Sequence, residues 1–136
     1  MKIVLDGADK PIRAHNTDAG LDLCAREDAW ILPFSRKILD TGVCVDIPEG
    51  YVGLLTSKSG LMAKKGITSR GTIDCGYTGT IKAVLFNHSW KPIRVRRKQK
   101  ITQLVIMPII TPELEVVDSL DETERGDGGF GSTGAF

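Results

Sequence analysis

Apolar residues in this chain come in short bursts of Val, Ile and Leu, and Gly, Pro, Asp or Asn interrupts them roughly every ten residues. Few windows repeat apolar residues at the three-and-four spacing that an amphipathic helix needs. The chain must therefore build its core from strands. Candidate strands fall at 2–5, 20–25, 29–32, 37–46, 51–56, 66–74, 79–87, 92–96, 101–109 and 113–118. So many short strands predict a barrel or jelly roll, in which few sheet edges stay open. SKSGLMAKKG, residues 57–66, breaks the pattern: Ser59 suits an N-cap, Leu61 to Lys65 are helix formers and Gly66 is a stop. One short helix is expected there. Pro108 interrupts the run ITQLVIMPII, which predicts a strand edge or a bulge.

A chain of 136 residues is about one domain and buries roughly two thirds of its unfolded surface. Eighteen basic against 17 acidic side chains leave a net charge of +1, so no extended field steers the protein onto nucleic acid or an anionic membrane. Phosphate binding, if present, has to be local. No apolar run approaches the ~20 residues that span a bilayer, and MKIVLDGADK lacks the apolar core of a signal peptide. A cytoplasmic location is expected. Cys24, Cys44 and Cys75 form no CxxC, and only His15 and His88 are available to help them bind zinc. The cysteines read as buried small apolar residues and the histidines as surface residues. Trp30 and Trp90 read as packing residues. In IRVRRKQK the basic residues alternate with Ile93 and Val95, which suits the solvated side of a strand and its turn rather than a nucleic-acid contact.

After Leu120 the composition changes. The last eleven residues hold five glycines and almost nothing to build a core, so residues 1–120 read as the folded domain and 121–136 as a flexible arm. A plain linker needs no phenylalanine, yet Phe130 stands among the glycines, with Arg125 upstream and Ser132 and Thr133 just after.

Three segments carry the chemistry. RGDGGFGSTG supplies backbone N–H groups freed by glycine, hydroxyls and a guanidinium, the three kinds of group that bind phosphate, although glycine-rich tails without any ligand are also common. SKSG, 57–60, sets two hydroxyls and Lys58 at a helix start, which serves an anion or an ordinary cap equally well. GTIDCGYTGTIKAVLFN, 71–87, brackets Asp74 and Tyr77 with Gly71, Gly76 and Gly79 and reads as a β-hairpin. A hairpin can present backbone donors and acceptors to a nucleobase edge; alternatively Asp74 is a turn residue and Tyr77 a half-buried strand aromatic.

Taken together, AGLDLCA (19–25), SKSGLMAKKG (57–66), GTIDCGYTG (71–79), KQKITQLVI (98–106) and RGDGGFGSTG (125–134) stand in the order typical of the trimeric deoxyuridine triphosphate nucleotidohydrolase (dUTPase) family, which this chain resembles over most of its length. The resemblance implies an all-β distorted jelly roll with one short helix and a flexible C-terminal arm. It also implies a homotrimer with active sites at subunit interfaces, Mg2+, and hydrolysis of dUTP to dUMP and pyrophosphate, with no membrane and no direct nucleic-acid partner. By the same resemblance Asp74 activates the attacking water and Tyr77 lies under the deoxyribose. Asp22 holds magnesium through water. Lys58, Ser59, Gly60 and Gln103 serve the phosphates, and the stretch Gly71, Thr72 and Ile73 with Lys82 reads uracil through backbone groups. Arg125, Phe130, Gly131, Ser132 and Thr133 form the closing arm, Phe130 stacking on the base.

Two departures from the family pattern stand out. Lys58 replaces the usual arginine, which keeps the charge but loses a planar grip on phosphate. Lys98, Gln99 and Lys100 replace a glycine, aspartate and arginine, so any ion pair of that aspartate is absent. The competing readings are a dCTP deaminase of the same superfamily and a non-catalytic jelly-roll binding module.

Overall fold

The structure is a computed structural model and describes residues 1–129. Among them are eleven strands and one helix. In chain order these are β1 (Lys2–Leu5), β2 (Gly20–Cys24), β3 (Ala29–Ile31), β4 (Arg36–Asp40), β5 (Val43–Asp46) and β6 (Tyr51–Ser57). There follow α1 (Ser59–Lys65), β7 (Ile67–Ser69), β8 (Gly71–Ile73), β9 (Lys82–Asn87), β10 (Ile93–Val95) and β11 (Lys100–Pro108). The larger sheet runs β2-β11-β6-β8, a second runs β4-β9-β7, and β1 with β5 and β3 with β10 form two-stranded ribbons. Every ladder is antiparallel. This is the expected jelly-roll-like β architecture.

Strand alternation builds the core. In β9 Ala83, Leu85 and Asn87 point inward while Lys82 and Phe86 face out. Two apolar clusters result, one around Leu23, Leu55, Ile81 and Leu104, the other around Ile31, Leu39, Ile67 and Leu85. Each fully buried Leu or Ile contributes about 1.5–3 kcal/mol relative to exposure. Asn87 is tolerated in the interior because its amide donates to the carbonyls of Ile31, Leu32 and Lys91 at 3.1, 3.1 and 2.8 Å.

Several expectations need correction. The predicted strand 37–46 breaks into β4 and β5 at Gly42, whose φ of 66° turns the chain; a Cβ there would lie 2.5 Å from the Asp6 carbonyl oxygen. The predicted strand 66–74 breaks at Arg70, and its halves join different sheets, β7 beside β9 and β8 beside β6. The expected hairpin over 71–87 is therefore absent, because β8 and β9 do not pair with each other. No strand forms at 113–118, where Leu114 and Val116 are 93% and 98% exposed. The helix caps on Lys58 without a side-chain hydrogen bond, not on Ser59, while Gly66 ends it in the left-handed conformation as expected. Pro108 closes β11 where β2 has already ended, so that only β6 pairs with it; the register irregularity of β11 lies at Lys100–Thr102 instead. Cys24 and Cys44 are half-buried but Cys75 is exposed, and both tryptophans stand in solvent rather than in the core.

Candidate active site

The larger sheet concentrates charge at one place. β11 lies between β2 and β6, and its register sets Gln103 opposite Asp22 on one side and Thr56 on the other. Asp22 is also tied to the N-terminal segment, its N–H donating to the Ile12 carbonyl at 2.8 Å. The backbone of this carboxylate is thus fixed from both sides, and the residue is buried.

Three groups converge on the Asp22 carboxylate. Lys58, the residue between β6 and α1, donates to Oδ1; Lys100, at the start of β11, reaches Oδ2 at 2.8 Å; and Gln103 Nε2 lies 3.4 Å from Oδ1. Burial by itself would raise the Asp22 pKa, but the hydrogen bonds from Lys100 and Lys58 outweigh it and hold the carboxyl below its ordinary value. The same contact raises the Lys100 pKa. Gly20 makes room for this arrangement, since a Cβ there would sit 3.0 Å from Gln103 Cβ. Ser59 and Gly60 begin α1 directly after Lys58, and nothing crowds Gly60.

Lys100 is the member that sequence reading missed as a site residue. Its only signal was that it occupies the place of a family arginine. Two neighbouring departures also acquire a structure. Lys98 holds φ at 66°, a conformation suited to the glycine it replaces, and the Gln99 side chain accepts from the Arg96 N–H at 3.1 Å.

Asp74 and Tyr77 lie elsewhere in the chain's fold. Asp74 follows β8 in an exposed turn closed by the Tyr77 N–H donating to the Asp74 carbonyl at 3.2 Å, with Gly76 at φ 82°. Among the described residues its carboxylate has no hydrogen-bond or ion-pair partner. The Tyr77 hydroxyl donates to the Thr80 carbonyl at 3.0 Å, and its ring covers Gly79, where a Cβ would stand 2.6 Å from the hydroxyl oxygen. Thr72 is exposed, Ile73 is buried, Gly71 rests against Leu55 and Lys82 opens β9 opposite Asp40.

Register measures the gap between the two groups. Ile73 pairs with Gly53, so Asp74 lies one step beyond, level with Val52, while Asp22 is level with Thr56. Four residues along the strands and three strand spacings across them separate the two Cα atoms by on the order of 20 Å. One chain does not bring Asp22 and Asp74 together.

Arg125 is exposed and turns back on its own segment, Nε donating to the Gly128 carbonyl at 3.1 Å. Phe130, Gly131, Ser132 and Thr133 lie outside the described residues. Among those described, no three His, Cys, Asp or Glu side chains are grouped to hold a metal ion. A single carboxylate already engaged by ammonium groups would hold Mg2+ through water rather than as a direct ligand.

Comparison with known proteins identifies the family. A family profile described as dUTPase matches residues 6–134. The deoxyuridine 5'-triphosphate nucleotidohydrolase of Nocardia farcinica is 45% identical over 132 residues, covering 94% of this chain and 80% of that protein. Its counterpart from Clostridium tetani is 42% identical, covering 98% and 94%. Among solved structures, the Staphylococcus bacteriophage 80alpha dUTPase with dUpNHpp superposes with a TM-score of 0.91 at 35% identity, covering 98% of this chain and 97% of that one. The dUTPase of phage phi11 of S. aureus, a mutant described for its coordination of a structural Mg(II) ion, gives 0.83 at 32% identity, covering 89% and 98%. With the family profile spanning nearly its whole length, the chain belongs to the dUTPase family.

Proposed function

We propose that this protein hydrolyses dUTP to dUMP and pyrophosphate by in-line attack of water on the α-phosphorus, assisted by Mg2+. Such a reaction keeps uracil out of DNA and supplies dUMP for thymidylate synthesis. The observation that carries the reading is the Asp22, Lys58, Lys100 and Gln103 cluster in a chain matched to dUTPases across residues 6–134.

A triphosphate repels a nucleophile, so the site has to neutralise charge and hold water in line. Lys58 and Gln103, with Ser59 and Gly60 at the start of α1, supply donors to the phosphates. Asp22 would hold hydrated Mg2+. That ion, when bound, lowers the charge on the phosphate oxygens and on the departing pyrophosphate. Asp74 takes the proton of the attacking water, a role that its free and exposed carboxylate supports. Tyr77, cradled by Gly79, lies under the deoxyribose and occupies the room of a 2′-hydroxyl. Gly71, Thr72, Ile73 and Lys82 frame a loop between two strands that do not pair with each other, and loop backbone groups outside the Asp74–Tyr77 turn, the Thr80 carbonyl and the Ile81 bonds to Thr41 and Val43 would read the uracil edge. Arg125, Phe130, Gly131, Ser132 and Thr133 close over the nucleotide as an arm.

The site is completed by other subunits of a homotrimer. Two observations support this: the separation of Asp22 from Asp74, and the apolar residues at 113–118 that find no partner strand among the described residues. No described helix is long and apolar enough to cross a membrane; a cytoplasmic location belongs to the same reading.

A nucleotide panel with Mg2+ tests the reading. Pyrophosphate released from dUTP, with dTTP and UTP turned over poorly, is the expected result. Ammonia released from dCTP would favour the deaminase, and no turnover of any nucleotide would favour a binding module.

A further inference from the structure

Apart from the Asp22 cluster, a groove of about 840 Å³ is lined by Trp30, Trp90, Pro92 and Ile93. Trp30 and Trp90 are 57% and 86% exposed, so neither adds to the core. Exposed tryptophans in a concave surface are the kind of residue on which binding energy concentrates.

The groove is built rather than floppy. Asn87, itself buried, ties the loop after β3, which carries Phe34, to the loop after β9, which carries Trp90: its side-chain amide donates to the Ile31, Leu32 and Lys91 carbonyls, and its backbone N–H donates to the Ser35 carbonyl at 2.9 Å. Phe34, in the first loop, holds φ at 51°, a strained conformation for a bulky residue, and its ring meets Trp90 edge-on with centroids 4.6 Å apart. Strain of this kind persists only where the surroundings over-determine it and tends to gather at binding sites.

Its charge is one-sided. Lys64, Lys65, Lys91 and Arg96 line the same groove and make no ion pair among the described residues, whereas Arg94 is engaged by Asp28 at 2.6 Å. We propose that this groove docks an acidic segment of a partner protein, an aromatic or large aliphatic side chain of that segment packing on Trp30 and Trp90 while its carboxylates meet the four unpaired cations. A single-stranded nucleic acid shares part of this chemistry. The short segment is favoured because a net charge of +1 gives no extended positive track for a phosphate backbone.

The test is fluorescence anisotropy of a fluorescein-labelled peptide of repeating Glu-Asp-Trp-Glu units titrated with the full-length protein. Saturable binding is expected, weakened about tenfold or more by Trp90→Ala and by the double variant Lys64→Glu, Lys65→Glu. A control peptide with Ser in place of every Trp should bind at least about tenfold more weakly. Melting temperatures identify a misfolded variant, and if Trp90→Ala is one, the exposed lysine pair decides. The proposal is overturned if the peptide does not bind, if binding ignores the folded variants, or if an oligo-dT strand binds more tightly through the same residues. It is also overturned if Trp90→Ala changes the oligomeric state in sedimentation, which would make the groove a contact between copies.

Discussion

The surroundings of Asp22 and those of Asp74 are built on opposite terms. Asp22 sits in a strand with neighbours on both sides, is buried, and is gripped by two lysines and an amide that arrive from β11 and from the junction of β6 with α1. Asp74 sits in a glycine-bounded turn, exposed, with its carboxylate unengaged. The first arrangement is complete within one chain. The second leaves its carboxylate without a partner among the described residues. A buried, paired carboxylate orients charge, whereas an unpaired one remains a base, and the proposed division of labour follows that difference.

Removing the free carboxylate should have the largest effect. Asp74→Asn should lower kcat for dUTP by roughly 10²- to 10⁴-fold with little change in thermal stability, measured by pyrophosphate release and calorimetry. Asp22→Asn should reverse the balance between activity and stability. Its ion pairs are partly solvated, so their loss should cost about 1–3 kcal/mol of stability. The depressed Asp22 pKa gives the sign of the pH effect: its contribution is present above the ordinary carboxylate value of 3.8 and is lost as pH falls through the lower folded-state value. Melting temperatures of the parent should therefore decline more steeply at acid pH than those of Asp22→Asn.

Gly79→Ala sharpens the comparison from the other side. Its Cβ displaces the Tyr77 ring without touching the Asp22 cluster, so discrimination of dUTP from UTP should fall several-fold, on the order of 1 kcal/mol, with stability nearly unchanged. The smallest effect is expected at Lys98→Gly. Relief of a left-handed backbone there should raise stability by about 0.5–1 kcal/mol in denaturant melts and leave kcat alone.

Local pattern carried much of this architecture. Strands β1, β2, β3, β6, β10 and β11 and the short helix were legible from apolar bursts and their glycine and proline borders. The failures were matters of partnership. Gly42 and Arg70 each divide a run that looks continuous, because the halves pair with strands that only the folded chain brings near. Residues 113–118 have the composition of a strand but no partner strand among the described residues. The same holds at the site. Lys100 could not be tied to Asp22 by spacing, since their contact joins β11 to β2 across most of the chain, and Trp90 stands on a loop that the buried Asn87 ties down through the Lys91 carbonyl. The glycines and hydroxyls proposed for the phosphates stand in contiguous motifs, which is why sequence alone offers them as candidates.

The central claim is that Asp22 of one subunit and Asp74 of another serve the same nucleotide, and subunit mixing tests it most directly. Chains carrying Asp22→Ala with Lys58→Ala, and chains carrying Asp74→Asn, should each be nearly inactive alone. Co-refolded in equal amounts, they should recover dUTP turnover at about a quarter of the parental sites, since each of two independent contributions is intact in half of the chains. Mixed oligomers, verified by differential tagging, that stay as inactive as either parent would contradict the account.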